Sequence, residues 1–252
     1  GKQLGLTEDT EVSPDWTYYT GHSIGERKGY LFFDFYQKGI TEEQYMQTYG
    51  QPLPTQLVND PKDGDAVYVD IDGDGTISEE YDQMFLGTTD RPDYTFSLNT
   101  NLEFKNFDFT MLWVGATNVT RNLDGVYRQP FGQQYHSSLL QWVADNTWTA
   151  ENTNAKLPRV TFVNEKQNQC FSNLWDYDSK YLRLKNVEIG YTIRQPRWFK
   201  SLSSARFYLN GTNLLTFSPF KANDPENMGG GYLQYIKYPI LRVYNLGVKL
   251  NF

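Results

Sequence analysis

The sequence predicts an all-β fold, the C-terminal strands of a large antiparallel transmembrane β-barrel with long extracellular loops, and three observations carry that expectation. The first is a two-residue alternation at the end of the chain. Tyr244, Leu246, Val248, Leu250 and Phe252 are apolar, whereas Asn245, Gly247, Lys249 and Asn251 are polar or small. A period of two puts the sets on opposite faces of a strand. The second is strand length, about 11 to 13 residues, close to what a tilted strand needs to cross a bilayer. The third is the rhythm of the connections: a turn at 105–106, a long segment at 120–180, a short connection at 195–204 and a long loop at 218–239. Outer-membrane barrels alternate short periplasmic turns with long outer loops and keep the C-terminus on the periplasmic side. Counting back from Phe252 places 218–239 and 120–180 outside, 105–106 and 195–204 inside. The last stripe alone fits a buried edge strand of a soluble β-domain equally well; the parity of the connections separates the two.

Composition bounds the rest. Aromatics make up 16% of the 252 residues, with 19 Tyr and 6 Trp. These residues favour sites that are apolar at one end and wet at the other. Mean hydropathy is −0.62, and no apolar run approaches the roughly 20 residues of a membrane helix. Barrel strands hide from hydropathy because half their side chains face the lumen. A net charge of −7 argues against nucleic acid. Cys170 is the single cysteine, which excludes a disulfide framework, and with only His22 and His136 a zinc site has too few ligands.

Residues 1–93 read as an extracellular loop region and 94–252 as the last five barrel strands with two long outer loops. In the first part, Thr41–Tyr49 is a candidate helix with Thr41 as N-cap, Glu42 and Glu43 in the first turn and Gly50 as C-cap. Asp70-Ile-Asp-Gly-Asp-Gly-Thr-Ile77 has the first half of an EF-hand-like calcium loop. Asp70, Asp72 and Asp74 would converge on one cation because Gly75 permits the sharp turn; Thr76 would lend its carbonyl. Position twelve, where the closing acid belongs, is Tyr81, flanked by Glu80 and Asp82. Either Asp82 closes the loop around one extra residue or the site is weakened; the alternative to a site is a solvated acidic turn.

The strands follow. Tyr94, Phe96, Leu98, Leu102 and Phe104 alternate with Thr95, Ser97, Asn99, Asn101 and Glu103, and Phe107, Phe109, Met111 and Trp113 resume after Lys105-Asn106. The third strand runs from Tyr181 to Ile193. Its stripe Val187, Ile189, Tyr191 is out of phase with Leu182 and Leu184, which predicts a bulge near Lys185-Asn186. Ala205–Phe217 and Ile240–Phe252 complete the set. The apolar set is expected to face lipid, and Asn99, Glu103, Asp108, Glu188, Asn245 and Lys249 the lumen. Closed barrels begin at about eight strands and open edges in hydrocarbon are costly, so five strands imply more sheet beyond this chain.

Taken in order, Gly21-His-Ser-Ile-Gly25, the 70–77 loop, Arg91-Pro-Asp-Tyr-Thr-Phe96, Tyr181 to Tyr191, Tyr208-Leu-Asn-Gly-Thr-Asn-Leu-Leu-Thr-Phe217 with Asp224-Pro-Glu226, and Tyr238-Pro to Phe252 resemble the C-terminal part of SusC/RagA-type TonB-dependent transporters. The resemblance covers nearly the whole chain. It implies a bacterial outer-membrane barrel of about 22 strands around an N-terminal plug, importing oligosaccharides or peptides with energy from the TonB system. It also implies a SusD-like surface lipoprotein as a lid, contacting loops 120–180 and 218–239. In that family the closing acid stands five residues before the glycine matching Gly87, which selects Asp82 as the last ligand of a structural Ca2+. Candidates for substrate contact are the loop aromatics Trp142, Trp148 and Tyr232. Nothing resembles a catalytic constellation, so an enzyme is not expected. The reading from another class is a secreted, calcium-dependent carbohydrate-binding β module.

Overall fold

The computed structural model describes residues 15–131, 138–162, 166–195, 201–226 and 240–252. These fall into two compact units. One contains the described residues of 91–119, 178–226 and 240–252; the other contains those of 15–90 and 120–177.

The first unit is a single antiparallel sheet. Its strands are β5 (Tyr94–Phe104), β6 (Phe107–Thr117), β9 (Tyr181–Arg194), β10 (Ser204–Phe217) and β11 (Val243–Asn251), in the order β11-β10-β9-β6-β5. Consecutive strands are therefore neighbours. Lys105, at φ 58°, makes the left-handed corner of the two-residue turn that closes Phe104 on Phe107. The last strand begins three residues later than its apolar stripe suggests, because Ile240–Arg242 lie outside the ladder.

Register fixes the faces. Directly opposed residues of an antiparallel ladder share a face, and Leu98 pairs with Trp113, Phe109 with Ile189, Ile189 with Leu209, and Leu209 with Leu246. Tyr94, Phe96, Phe107, Met111, Val187, Val248 and Leu250 fall on that same face. The opposite face carries Asn99, Glu103, Asp108, Glu188, Asn245 and Lys249. The expected bulge is present: Leu112 pairs with Asn186 and Trp113 with Leu184, so Lys185 is the extra residue. That one residue returns Leu184 and Leu182 to the apolar face and sends Arg183 and Tyr181 to the polar one. Among the described residues, most of the apolar face is uncovered. Phe96 is 52% exposed, Leu209 52% and Leu246 83%.

The second unit holds a packed core in which Tyr45, Val67, Tyr68 and Leu123 are fully buried. It is built from short ladders: β1 (Lys28–Tyr30) with β4 (Gln83–Phe85), β2 (Phe32–Phe35) with β3 (Ala66–Tyr68), and β7 (Thr120–Asn122) with β8 (Asp176–Asp178). Its helices are α1 (Ile40–Tyr49), α2 (Gln141–Asn146) and α3 (Lys166–Gln169). None of the described helices is long and apolar enough to cross a membrane, which says nothing of crossing by strands.

The helix cap differs from the expectation. Gly39, in the left-handed region at φ 82°, is the N-cap of α1, and Glu42 Oε2 accepts its N–H at 2.7 Å. Thr41 is instead the second helical residue. Its hydroxyl turns inward, accepting from the Gln37 N–H at 2.8 Å and donating to the Phe35 carbonyl at 3.2 Å. A buried hydroxyl tied to the preceding strand is of no use to the helix end, so a glycine and the reach-back glutamate take that role. Gly50 ends the helix as expected, its N–H donating to the Met46 carbonyl at 2.9 Å.

Candidate functional site

The acidic loop leaves β3 in the second unit. The buried Tyr45 hydroxyl accepts the Asp70 N–H at 3.1 Å, tying the loop's first residue to α1. From there the carboxylates organise their own backbone. Asp70 accepts from Gly73 and Gly75 at 2.7 and 2.8 Å, Asp72 from Asp74 at 3.1 Å, and Asp74 from Thr76 at 2.7 Å. Gly73 and Gly75 have φ of 79° and 86°, a conformation that costs side-chain-bearing residues about 1–2 kcal/mol each. Beyond the turn, Ile77 is buried and its N–H donates to the Thr55 carbonyl at 2.8 Å.

Asp70, Asp72 and Asp74 each bring a carboxylate oxygen to within 4.8 Å of the others. Lost solvation, with Asp70, Asp82 and Asp74 as neighbours, raises the Asp72 carboxyl from its ordinary value. Three hard oxygens at this spacing fit a Ca2+-type ion, and they repel one another without a cation. Asp82 is not one of that trio and has partners of its own. It is fully buried and accepts from the Ile71 N–H at 2.8 Å, and from the Ser78 N–H and hydroxyl at 2.7 and 3.1 Å. Its carboxylate therefore clasps the two ends of the loop.

The aromatic candidates have separate surroundings in the same unit. Trp142, on α2, meets Tyr127 and Tyr177 edge-on at 5.9 and 5.8 Å between ring centroids. Trp148 lies against Gly64, whose φ of 89° and lack of a Cβ admit the indole. Tyr232 lies outside the described residues.

Two polar clusters on the sheet were not singled out by sequence reasoning. Arg206 of β10 binds Asp108 of β6 and, at 2.6 Å, Glu188 of β9. Gly190 leaves room for this crossing. Glu188 also accepts from Asn210 at 3.1 Å, and Asn245 donates to Asn210 at 2.9 Å, so one hydrogen-bonded row crosses four strands. Beside it, near the 105–106 turn, is a cleft of about 380 Å³ lined by residues including Asn101, Glu103, Lys105 and Arg206. The second cluster joins Arg183 and Lys185 to Asp224 and Glu226. Alternation placed Asp108 and Glu188 on the lumen face and could have added Arg206, but it does not show the three as partners. In the other unit, Asp65, 2% exposed, is paired with Arg159 at 2.6 Å and Asn168 at 2.7 Å, and the fully buried Gln167 bridges to Gln56 and the Ala66 carbonyl.

No protein-family model matches the sequence. Among curated proteins, the chain is 30% identical over 246 residues to TonB-dependent receptor P3 of Formosa agariphila, covering 92% of the chain and 22% of that protein. It is 31% identical over 204 residues to TonB-dependent receptor P26 of the same organism, covering 75% of the chain and 20% of that protein. It is 24% identical over 189 residues to TonB-dependent receptor SusC of Bacteroides thetaiotaomicron, covering 74% and 17%. The chain thus spans about a fifth of the length of these relatives. Its fold resembles the RagAB peptide importer in the open-open state, with a TM-score of 0.63 at 17% identity over 98% of the chain and 24% of that structure's chain. The closed-closed state gives a TM-score of 0.59 at 18% identity over 89% of the chain and 23% of that one. An antiparallel sheet with one uncovered apolar face and one polar face, in a sequence that matches these receptors over most of its length, is a partial barrel wall, and the chain is a segment of a SusC/RagA-type TonB-dependent receptor.

Proposed function

We propose that this chain is part of the wall of an outer-membrane importer of oligosaccharides or peptides, closed by further strands and a plug, driven through TonB and covered by a SusD-like lipoprotein. The observation that carries the reading is the two-faced sheet. One face is apolar from Phe104 to Leu246 and uncovered, as lipid contact requires, and the other bears the Asp108–Arg206–Glu188 row, as an aqueous lumen requires. A secreted carbohydrate-binding module would leave Leu246, Phe104 and Tyr244 in water, against the usual limit on apolar patches. The segments around 120–177 and 218–226 would then lie on the outer side and meet the lipoprotein, with Trp142 and Trp148 bracing the first of them. The test is growth of a deletion strain on a panel of oligosaccharides and peptides as sole nutrient. Restoration by the full-length gene on one class, dependent on TonB, supports import; growth indifferent to the gene on every class refutes it.

The acidic loop is proposed to hold a structural Ca2+ through Asp70, Asp72, Asp74 and the Thr76 carbonyl. Asp82 closes the loop with the lone pairs left beside its backbone hydrogen bonds. The ion would neutralise the repelling carboxylates and add no chemistry to transport. Extracellular sites of this kind bind at about 10⁻⁴ to 10⁻³ M.

A further inference from the structure

The polar cluster around Arg183 ties the segment that follows β10 back to β9. Arg183 is 1% exposed and its guanidinium meets two carboxylates, Asp224 at 2.7 Å and Glu226 at 2.9 Å. Lys185 reaches Glu226 at 3.2 Å, and the Tyr181 hydroxyl donates to the same carboxylate at 3.2 Å. Two cations face two anions, so the cluster is neutral. Within the segment, Asp224 also accepts the Glu226 N–H at 2.9 Å, which fixes both carboxylates in one presentation. Phe220 nearby is 5% exposed.

Asp224 and Glu226 lie beyond the end of β10, on the segment that follows Phe217, whereas Tyr181, Arg183 and Lys185 lie on β9. A segment leaving the end of a strand has no need to return to the sheet. The return is possible because of the bulge. Without the extra Lys185, alternation would carry Arg183 to the apolar face; with it, Tyr181 and Arg183 join the polar one. The same place is irregular on the other side, where β10 shifts register between Thr212 and Leu215 and Asn213 takes a φ of 55°. Both strands break their ladder where the cluster sits, at the end of the sheet away from the 105–106 turn.

We propose that Arg183 is a positioning residue, a clamp that holds residues 218–226 folded over the polar face and so narrows the outer mouth of the passage. The proposal rests on the reading of the polar face as the lining of that passage. Such a fixed shelf sets the size of cargo admitted beside it, and a buried guanidinium held by two carboxylates gives it a single position. Arginine suits the task better than lysine because its planar fork engages both acids at once.

The test uses the full-length transporter in detergent, with spin labels at Lys221→Cys and Arg194→Cys, both exposed in the wild type. Electron double resonance reads the distance between the folded-over segment and the far end of β9, whatever the protein carries. Wild type is expected to give one narrow population, with a detached state of about 1% or less. Arg183→Met should make the detached state the major one, whereas Arg183→Lys should keep most of the narrow population. If Arg183→Met fails to fold, judged by loss of heat-modifiable migration, Asp224→Asn with Glu226→Gln removes the clamp from the other side and should broaden the distances equally. Unchanged distances in both would overturn the clamp. Uptake is scored separately on oligomers of graded length. Clamp variants that broaden the distances should admit longer cargo; broadened distances with no change in the length admitted would overturn the role in size selection. Absence of any uptake by wild type would instead count against the importer reading.

Discussion

Placing a charge on the apolar face is the sharpest test of the membrane reading, and Val248→Arg is the place to do it. Val248 lies one residue past the middle of β11, opposite Phe207, which in turn opposes Tyr191. No Asp, Glu, Lys or Arg shares that face among the paired residues of the sheet, so an arginine there finds neither a partner nor water. Lipid-facing arginine near the bilayer midplane costs about 2–4 kcal/mol, or about 30- to 1,000-fold in the folded-to-unfolded ratio. The control is Asn245→Arg on the same strand. Asn245 sits on the polar face beside Asn210, which binds Glu188, so the new guanidinium gains an acidic neighbourhood. Its cost should stay within about 0.5 kcal/mol, as for ordinary surface changes. Equilibrium unfolding of the full-length protein in phospholipid vesicles, titrated with guanidinium, measures both. Equal losses for the two variants would refute the assignment of faces.

Asp82→Ala leaves the half-buried N–H groups of Ile71 and Ser78 without their carboxylate acceptor and should cost about 2–6 kcal/mol, counting about 1–3 for each such group. Differential scanning calorimetry checks this against Asp74→Ala, which is exposed and should cost under about 0.5 kcal/mol in chelator. Millimolar calcium should slow amide exchange across residues 70–82 in the wild type and leave Asp72→Asn unaffected; protection that ignores calcium in both would remove the ion from the account. The surroundings of Cys170 push its thiol up to about 11, so at pH 8 only about 0.1% is thiolate and maleimide should label it about 100-fold more slowly than in the unfolded chain. The sign follows from the raised value: this stability is complete below the unfolded thiol's pKa near 9 and is lost as pH rises through 11. Gly64→Ala meets both the Trp148 ring and a left-handed backbone, and should lower the melting temperature of that unit by more than Gly21→Ala, where nothing crowds the added methyl.

The strands of the sheet were legible because the information in them is local. A period of two separates Leu246 and Val248 from Asn245 and Lys249 without knowledge of any partner, and strand length is a count along the chain. Even the bulge at Lys185 was written in the sequence, as a break in phase between Leu184 and Val187. The acidic loop was legible for the same reason, since Asp70, Asp72 and Asp74 lie within five residues and bend the chain around themselves. The register of the sheet settled other matters. It brought Asp108, Glu188 and Arg206 from three strands to one point, and it turned Arg183 towards carboxylates some forty residues away. Asp65 meets Arg159, and Gln167 meets Gln56, across about a hundred residues of chain. The role of Asp82 belonged to the same class. The sequence by itself determined which side chains share a face, because a strand's geometry repeats every two residues. Which charges meet was decided by tertiary structure, because an ion pair depends on the register and packing of segments that know nothing of each other along the chain.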